Sequence, residues 1–183
     1  MKIAAQQPKF QVVFGDESGF SLTPNVPYGW QAPGKRVCLP TARSKRQSVF
    51  GLLSHDNRLF TYGTDQKIDT AFVIDCIDQF MATQDDKVTL LVLDNASIHG
   101  SRLFHSACQR WEQHGLLVWY LPTYSPHLNR IERLWLRMKY SWLKPADYLS
   151  MKALKEGIQR IFDHFGKSYT INFKTPEVSF NSN

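Results

Sequence analysis

Val88-Thr89-Leu90-Leu91-Val92-Leu93-Asp94-Asn95 decides the fold class. Six successive apolar or β-branched residues suit a central strand covered on both faces, and this one breaks off at an acid. Strands of that kind are wrapped by helices, so helical periodicity is expected on either side. Upstream, Phe72, Val73, Cys76, Ile77, Phe80 and Met81 recur at three- and four-residue steps over residues 68–81, with Asp69, Asp75 and Asp78 mostly off the stripe. Downstream, residues 101–113 read as a second helix, Gly115 as its stop, and Leu116 to Leu121 as another buried strand closed by Pro122.

Further out, Phe10, Val12 and Phe14 mark a short strand that runs into Gly15-Asp16-Glu17-Ser18-Gly19, which places the first acids at a strand's end. Residues 21–46 hold four prolines, Gly29, Gly34 and the basic group Lys35, Arg36, Arg43, Lys45 and Arg46, and read as a long surface excursion. Ser48 to Ser54 and Arg58 to Gly63 form a hairpin around His55-Asp56-Asn57. Ser125-Pro126 supplies a cap and first turn for a helix carrying Ile131, Leu134, Trp135 and Met138, with Glu132 inside it. A last helix over residues 152–165 shows Leu154, Ile158, Ile161, Phe162 and Phe165 on one stripe, and residues 166–183 read as a polar tail. The class is α/β.

The 183 residues suit one domain, and 43% hydrophobic content is enough for a core, which excludes a disordered chain or a coiled coil. Twenty-two Lys and Arg against sixteen Asp and Glu give a net charge of +6, which favours a polyanionic partner. Three widely spaced cysteines, Cys38, Cys76 and Cys108, indicate neither a disulfide framework nor a thiolate zinc site. The first residues lack a signal peptide's apolar core, and no run reaches the roughly 18–20 apolar residues of a membrane span. A soluble, cytoplasmic protein without membrane contact is expected.

Asp16, Asp94 and Glu132 stand out by position: after the first strand, after a central strand, and on a later helix. Clustered carboxylates repel each other unless a cation neutralises them, and hard oxygen donors suit Mg²⁺, with Mn²⁺ as a substitute. Two such ions serve phosphoryl transfer, activating a water or 3′-hydroxyl on one side of phosphorus and stabilising the leaving oxygen on the other. Against this stands the plainer reading, because most acids after strands are turn residues or helix caps.

The text around the acids tips the balance. Phe14-Gly15-Asp16-Glu17, Leu93-Asp94-Asn95-Ala96-Ser97-Ile98-His99 and Leu121-Pro122-Thr123-Tyr124-Ser125-Pro126-His127-Leu128-Asn129-Arg130-Ile131-Glu132-Arg133-Leu134-Trp135 resemble, in order, the three motifs of DDE transposase catalytic domains in the bacterial insertion-sequence branch of the mariner-like superfamily. Asp94 and Glu132 are separated by 37 intervening residues, and the resemblance covers residues 10–165. It implies an RNase H-like mixed five-stranded sheet with helices on both faces. It also implies Asp16, Asp94 and Glu132 as catalytic, metal-binding residues holding Mg²⁺, in two ions, and DNA as substrate at element ends and target. A homo-oligomeric active complex follows from the same likeness. Where the family commonly has proline, this chain has Arg130, expected to alter helix entry or add a phosphate contact. Family members usually carry helix-turn-helix modules ahead of this domain, and about nine residues precede the first strand here, so a separate DNA-reading domain or chain is expected. Other readings are an RNase H-like nuclease of different substrate and an inactive DNA-binding remnant.

Phosphate contacts are expected from Lys35, Arg36, Arg43, Lys45, Arg46, Arg130, Arg133 and Lys139, the last two helical turns past Glu132. Four residues are accessory candidates. Glu17, next to Asp16, points to the opposite side if the segment is extended. Trp30, in Tyr28-Gly29-Trp30, either stacks on an unpaired base or packs its loop onto the domain. Asn95 either orients Asp94 and binds phosphate or caps the following turn, and His99 contacts DNA or a metal-bound water unless it makes a local hydrogen bond. Trp111, Trp119, Trp135 and Trp142 are expected in the core or an interface.

Overall fold

The computed structural model describes residues 9–25, 46–84, 87–123 and 125–172. Lys35, Arg36, Arg43, Lys45, Trp30 and the tail from residue 173 lie outside the described residues. Five strands form one sheet: β1 (Lys9–Phe20), β2 (Gln47–Ser54), β3 (Leu59–Thr64), β4 (Lys87–Leu93) and β5 (Leu116–Tyr120), in the order β3-β2-β1-β4-β5. The β1–β2–β3 pairs are antiparallel, and β1–β4 and β4–β5 are parallel.

The helices are α1 (Thr70–Ala82), α2 (Arg102–Glu112), α3 (Ile131–Arg137) and α4 (Met151–Asp163). Asp69, Ser101 and Ser150 cap α1, α2 and α4 by accepting from the N–H of Phe72, Phe104 and Ala153. On one sheet face, Val13, Phe50, Leu52, Leu91 and Leu93 meet Val73, Ile77 and Phe80 of α1 and Phe104 and Trp111 of α2. On the other, Phe20, Val49 and Leu53 meet Ile131, Leu134 and Trp135 of α3 and Leu154, Ile158 and Ile161 of α4. Each such side chain taken fully out of water contributes about 1.5–3 kcal/mol, so both faces are sealed where the helices lie.

Four expectations are corrected. The first acids do not end a strand: β1 runs on to Phe20, because Asp16 still pairs with Gly51 of β2. Its parallel pairing with β4, however, stops at Phe14↔Val92. Strand β5 is not buried on both faces. It is the sheet edge, and Trp119 is 62% exposed because α3 and α4 cover the β1–β3 half of that face.

The third helix does not start at Ser125. That hydroxyl donates to the Thr123 carbonyl, Pro126–Leu128 is a separate 3₁₀ turn, and α3 begins at Ile131 before passing into a π-helical turn over Met138–Trp142. The start of the tail is ordered. Asn57, at φ 60° in the β2–β3 turn, exchanges hydrogen bonds with the Ile171 backbone at 3.1 and 2.9 Å, and Ile171 is buried among the α4 residues.

Candidate active site

Where β4 ends and β1 continues paired with β2 only, β1 and β4 part, and the candidate carboxylates surround that gap. Asp16 projects from the middle of β1 and is 7% exposed. Asp94 follows β4 directly, and Glu132 is the second residue of α3. Helix α3 comes down close to the sheet because Gly51, opposite Asp16, has no side chain: a Cβ there would lie 2.7 Å from Trp135 Cζ2. The loop before α3 is tied to β1 as well, since Asn129 Nδ2 donates to the Gly15 carbonyl at 3.0 Å.

The electrostatics record the crowding. Burial first, then the charges of Glu132, Glu17 and Asp94, push the Asp16 carboxyl up from 3.8 to about 8. Glu132 is raised by burial, against the pull of Lys139 and with a further push from Asp94. Asp94 is lowered instead, mainly by its hydrogen bond with His99, and Ala96 N–H also donates to its Oδ1 at 3.1 Å. Asp94 and Glu132 line one cleft of about 330 Å³ together with Asn95, Thr123, Ser125 and Asn129.

Three oxygen donors with excess negative charge fit a hard divalent cation. Among the described residues, no three carboxylate, imidazole or thiol groups lie close enough together to hold a metal as they stand.

The remaining expected residues divide. Lys139 is half-buried in the π-helical turn, its Nζ 5.5 Å from the centre of the Phe20 ring. Burial and the charge of Arg46 lower it while Glu132 and Asp16 raise it, so Lys139 belongs to the carboxylate neighbourhood and Arg46 lies within electrostatic reach of Lys139. Arg133 is exposed on α3 and donates to the Asn172 carbonyl at 3.4 Å, and Arg130 occupies the residue before α3 with helical backbone angles, which leaves helix entry undisturbed. Asn95 is exposed and does not cap the following 3₁₀ turn, Ser97–Gly100, whose preceding residue is Ala96.

Two accessory expectations change. His99 is fully buried, which removes it from DNA: its Nδ1 lies 3.1 Å from Asp94 Oδ1 and its Nε2 3.0 Å from Glu17 Oε1. Burial alone would lower the ring's pKa, but the bonds to Asp94 and Glu17 outweigh it and push it up to about 10. Glu17, on the opposite side of β1 from Asp16, is thus occupied by His99. Asn129 went unremarked as a site residue, although it stands three residues before Glu132 and a buried asparagine must find a partner.

A mixed sheet in this strand order, with acids on β1, after β4 and on a following helix, defines an RNase H-like fold. The chain belongs to the DDE superfamily endonucleases, whose family model matches residues 11–155. It is 33% identical over 137 residues to the "Insertion element IS630 uncharacterized 39 kDa protein" of Shigella sonnei, covering 72% of this chain and 38% of that protein. Among solved structures it resembles the Mos1 mariner paired-end complex with Mn (TM-score 0.63, 16% identity, 83% of this chain and 48% of that one). It also resembles the HTLV-2 integrase catalytic core domain in complex with magnesium (TM-score 0.54, 10% identity, 86% of each chain). The chain spans about two fifths of the curated relative's length and about half of the Mos1 chain's. Among the described residues, no helix is long and apolar enough to cross a membrane.

Proposed function

We propose that this chain is the catalytic domain of a DNA transposase, cleaving phosphodiester bonds at element ends and joining the freed 3′-hydroxyl to target DNA. The observation that carries the reading is that Asp16, beside the open end of β4, is buried yet within reach of the charges of Glu132 and Asp94, burial first and those charges next raising its carboxyl to about 8. Asp16, Asp94 and Glu132 would hold Mg²⁺, with Mn²⁺ as a substitute and two ions in the working site. Bound there, the metal supplies Lewis-acid activation of the attacking oxygen and charge stabilisation at the leaving one. The chain's own part is geometric: β1 and α3 fix two carboxylates, and the cleft beside Asp94 and Glu132 gives a phosphate access to them. Lys139, in the same neighbourhood, is placed to counter charge on a bound phosphate.

The partners proposed are DNA at element ends and target, a second copy of the protein in the active complex, and a sequence-reading domain or chain beyond these residues. Structural relatives support this: the Mos1 transposase forms a paired-end complex with a left transposon end and a strand transfer complex.

The experiment is nicking of plasmid or element-end DNA in Mg²⁺ by wild type, Asp16→Asn, Asp94→Asn and Glu132→Gln. Each variant should lose about a hundredfold or more, since even outer partners of a metal site cost 10–100-fold. Wild-type activity that survives in all three would move the chemistry elsewhere, and an inert wild type would favour the DNA-binding remnant.

A further inference from the structure

The β1–β4 ladder ends at Phe14↔Val92, two residues short of both Asp16 and Asp94. Beyond that point no backbone pairing holds the two strands at a fixed spacing. What crosses the gap is a side-chain bridge. Glu17, adjacent to Asp16 on β1, meets His99 Nε2 at 3.0 Å, and His99 Nδ1 meets Asp94 Oδ1 at 3.1 Å and the Asp94 carbonyl at 3.2 Å.

His99 is held on every side. Its N–H donates to the Ala96 carbonyl at 3.0 Å, its carbonyl accepts from Tyr120 Oη of β5 at 3.0 Å, and the Ile98 carbonyl accepts from Thr70 Oγ1 of α1 at 2.9 Å. Its ring lies 5.3 Å from that of Phe104 in α2. A residue whose backbone is tied to β5 and, through Ile98, to α1, and whose ring packs on Phe104 of α2, resists following Asp94 if Asp94 shifts, so the bond sets the carboxylate's position rather than adapting to it.

We propose that His99 is the positioning residue of Asp94, and that Glu17 is the outer carboxylate holding His99 in place of serving as a metal ligand. The inference rests on the reading of Asp94 as part of a divalent-cation site. Histidine bridging carboxylates in this way fixes ligand orientation, and loss of such an outer partner weakens metal binding 10–100-fold. A residue serving only to fill the core would affect unfolding alone.

The test is Mn²⁺ titration of the chain followed by electron paramagnetic resonance, with circular dichroism melts on the same samples. His99→Leu should weaken Mn²⁺ binding at least about tenfold. His99→Asn places an amide nitrogen near the Nδ1 position and should stay within about threefold of wild type. His99→Gln, reaching toward the Nε2 position, should bind as poorly as His99→Leu. If His99→Leu does not fold, the Asn and Gln variants decide: equal affinities, or Gln the tighter, overturn the proposal. Wild-type affinity in a folded His99→Leu overturns it while leaving the cation site standing. Absence of Mn²⁺ binding to wild type overturns both together.

Discussion

Asn129 and Gly15 are joined by one hydrogen bond of 3.0 Å across 114 residues of sequence, and it fastens the approach to Glu132 onto the strand that carries Asp16. The Asn129 Oδ1 is buried with no hydrogen-bond partner among the described residues, which leaves the amide nitrogen as the side chain's described link. Asn129→Ala should leave the Gly15 carbonyl unsatisfied and cost about 1–3 kcal/mol of stability. Because the bond sets the spacing of two candidate ligands, DNA cleavage should fall further than the unfolded fraction explains. Urea unfolding beside a nicking assay on the same preparation checks both; a variant with lower stability and undiminished cleavage would make the bond purely structural.

Gly51 sets the same spacing from the other side. A methyl group there would meet Trp135 Cζ2 at 2.7 Å and Ile131 Cδ1 at 3.0 Å, both in fully packed surroundings. Gly51→Ala should therefore push α3 outward and cost about 1–3 kcal/mol, the usual range for overpacking. Thermal unfolding measures it. A melting temperature equal to wild type would show that α3 yields freely, and with it that Glu132 is not rigidly placed.

Asp16 gives a pH dependence with a definite sign. Its carboxyl titrates near 8 in the folded chain against 3.8 ordinarily, so the native state binds the extra proton between those values. Stability from this group is therefore full below about pH 4 and is lost as pH rises toward 8. In chelator at pH 7, Asp16→Asn should be more stable than wild type by on the order of 2–4 kcal/mol, and its stability should vary less between pH 4 and 8. Chemical denaturation across that range checks it. Equal stability of the two proteins at pH 7 would mean that the carboxylate is neither desolvated nor crowded as described.

How much of this was legible in the sequence depended on whether the deciding contact was local. Strand β4 was legible because every position from Val88 to Leu93 is apolar or β-branched, as a strand covered on both faces requires, and α4 because a regular apolar stripe runs along it. The turn at Asn57 was legible for the same reason. The extension of β1 was not: Gly15-Asp16-Glu17-Ser18-Gly19 has a turn's composition, and only pairing with Ser48 to Leu52 of β2, distant in sequence, keeps it extended. Nor could the apolar text of β5 reveal that Trp119 faces an uncovered half of the sheet. The three candidate acids were marked by their motifs, whereas the Glu17–His99 contact joins residues 82 apart and left no local sign.

The phosphate-gripping surface remains for experiment. Arg133 is exposed beside Glu132 on α3, and Lys139 lies within electrostatic reach of Glu132, Asp16 and Arg46. Each side chain that neutralises a phosphate releases counterions and contributes about 0.9 to the slope of log affinity against log salt. Replacing Lys35, Arg36, Arg43, Lys45 and Arg46 together by alanine should lower the slope for duplex DNA by about 4 if all five are engaged. Arg130→Ala and Arg133→Ala should each remove about one further unit. Lys139→Ala should do the same and also slow cleavage of bound DNA, because its amine is within electrostatic reach of Glu132 and Asp16. Affinity measured from 50 to 300 mM salt by fluorescence anisotropy, about the range over which such slopes are read, separates the groups. An unaltered slope in the five-residue variant would leave the Lys35–Arg46 stretch a merely solvated face, and an unaltered cleavage rate in Lys139→Ala would return that lysine to packing against Phe20.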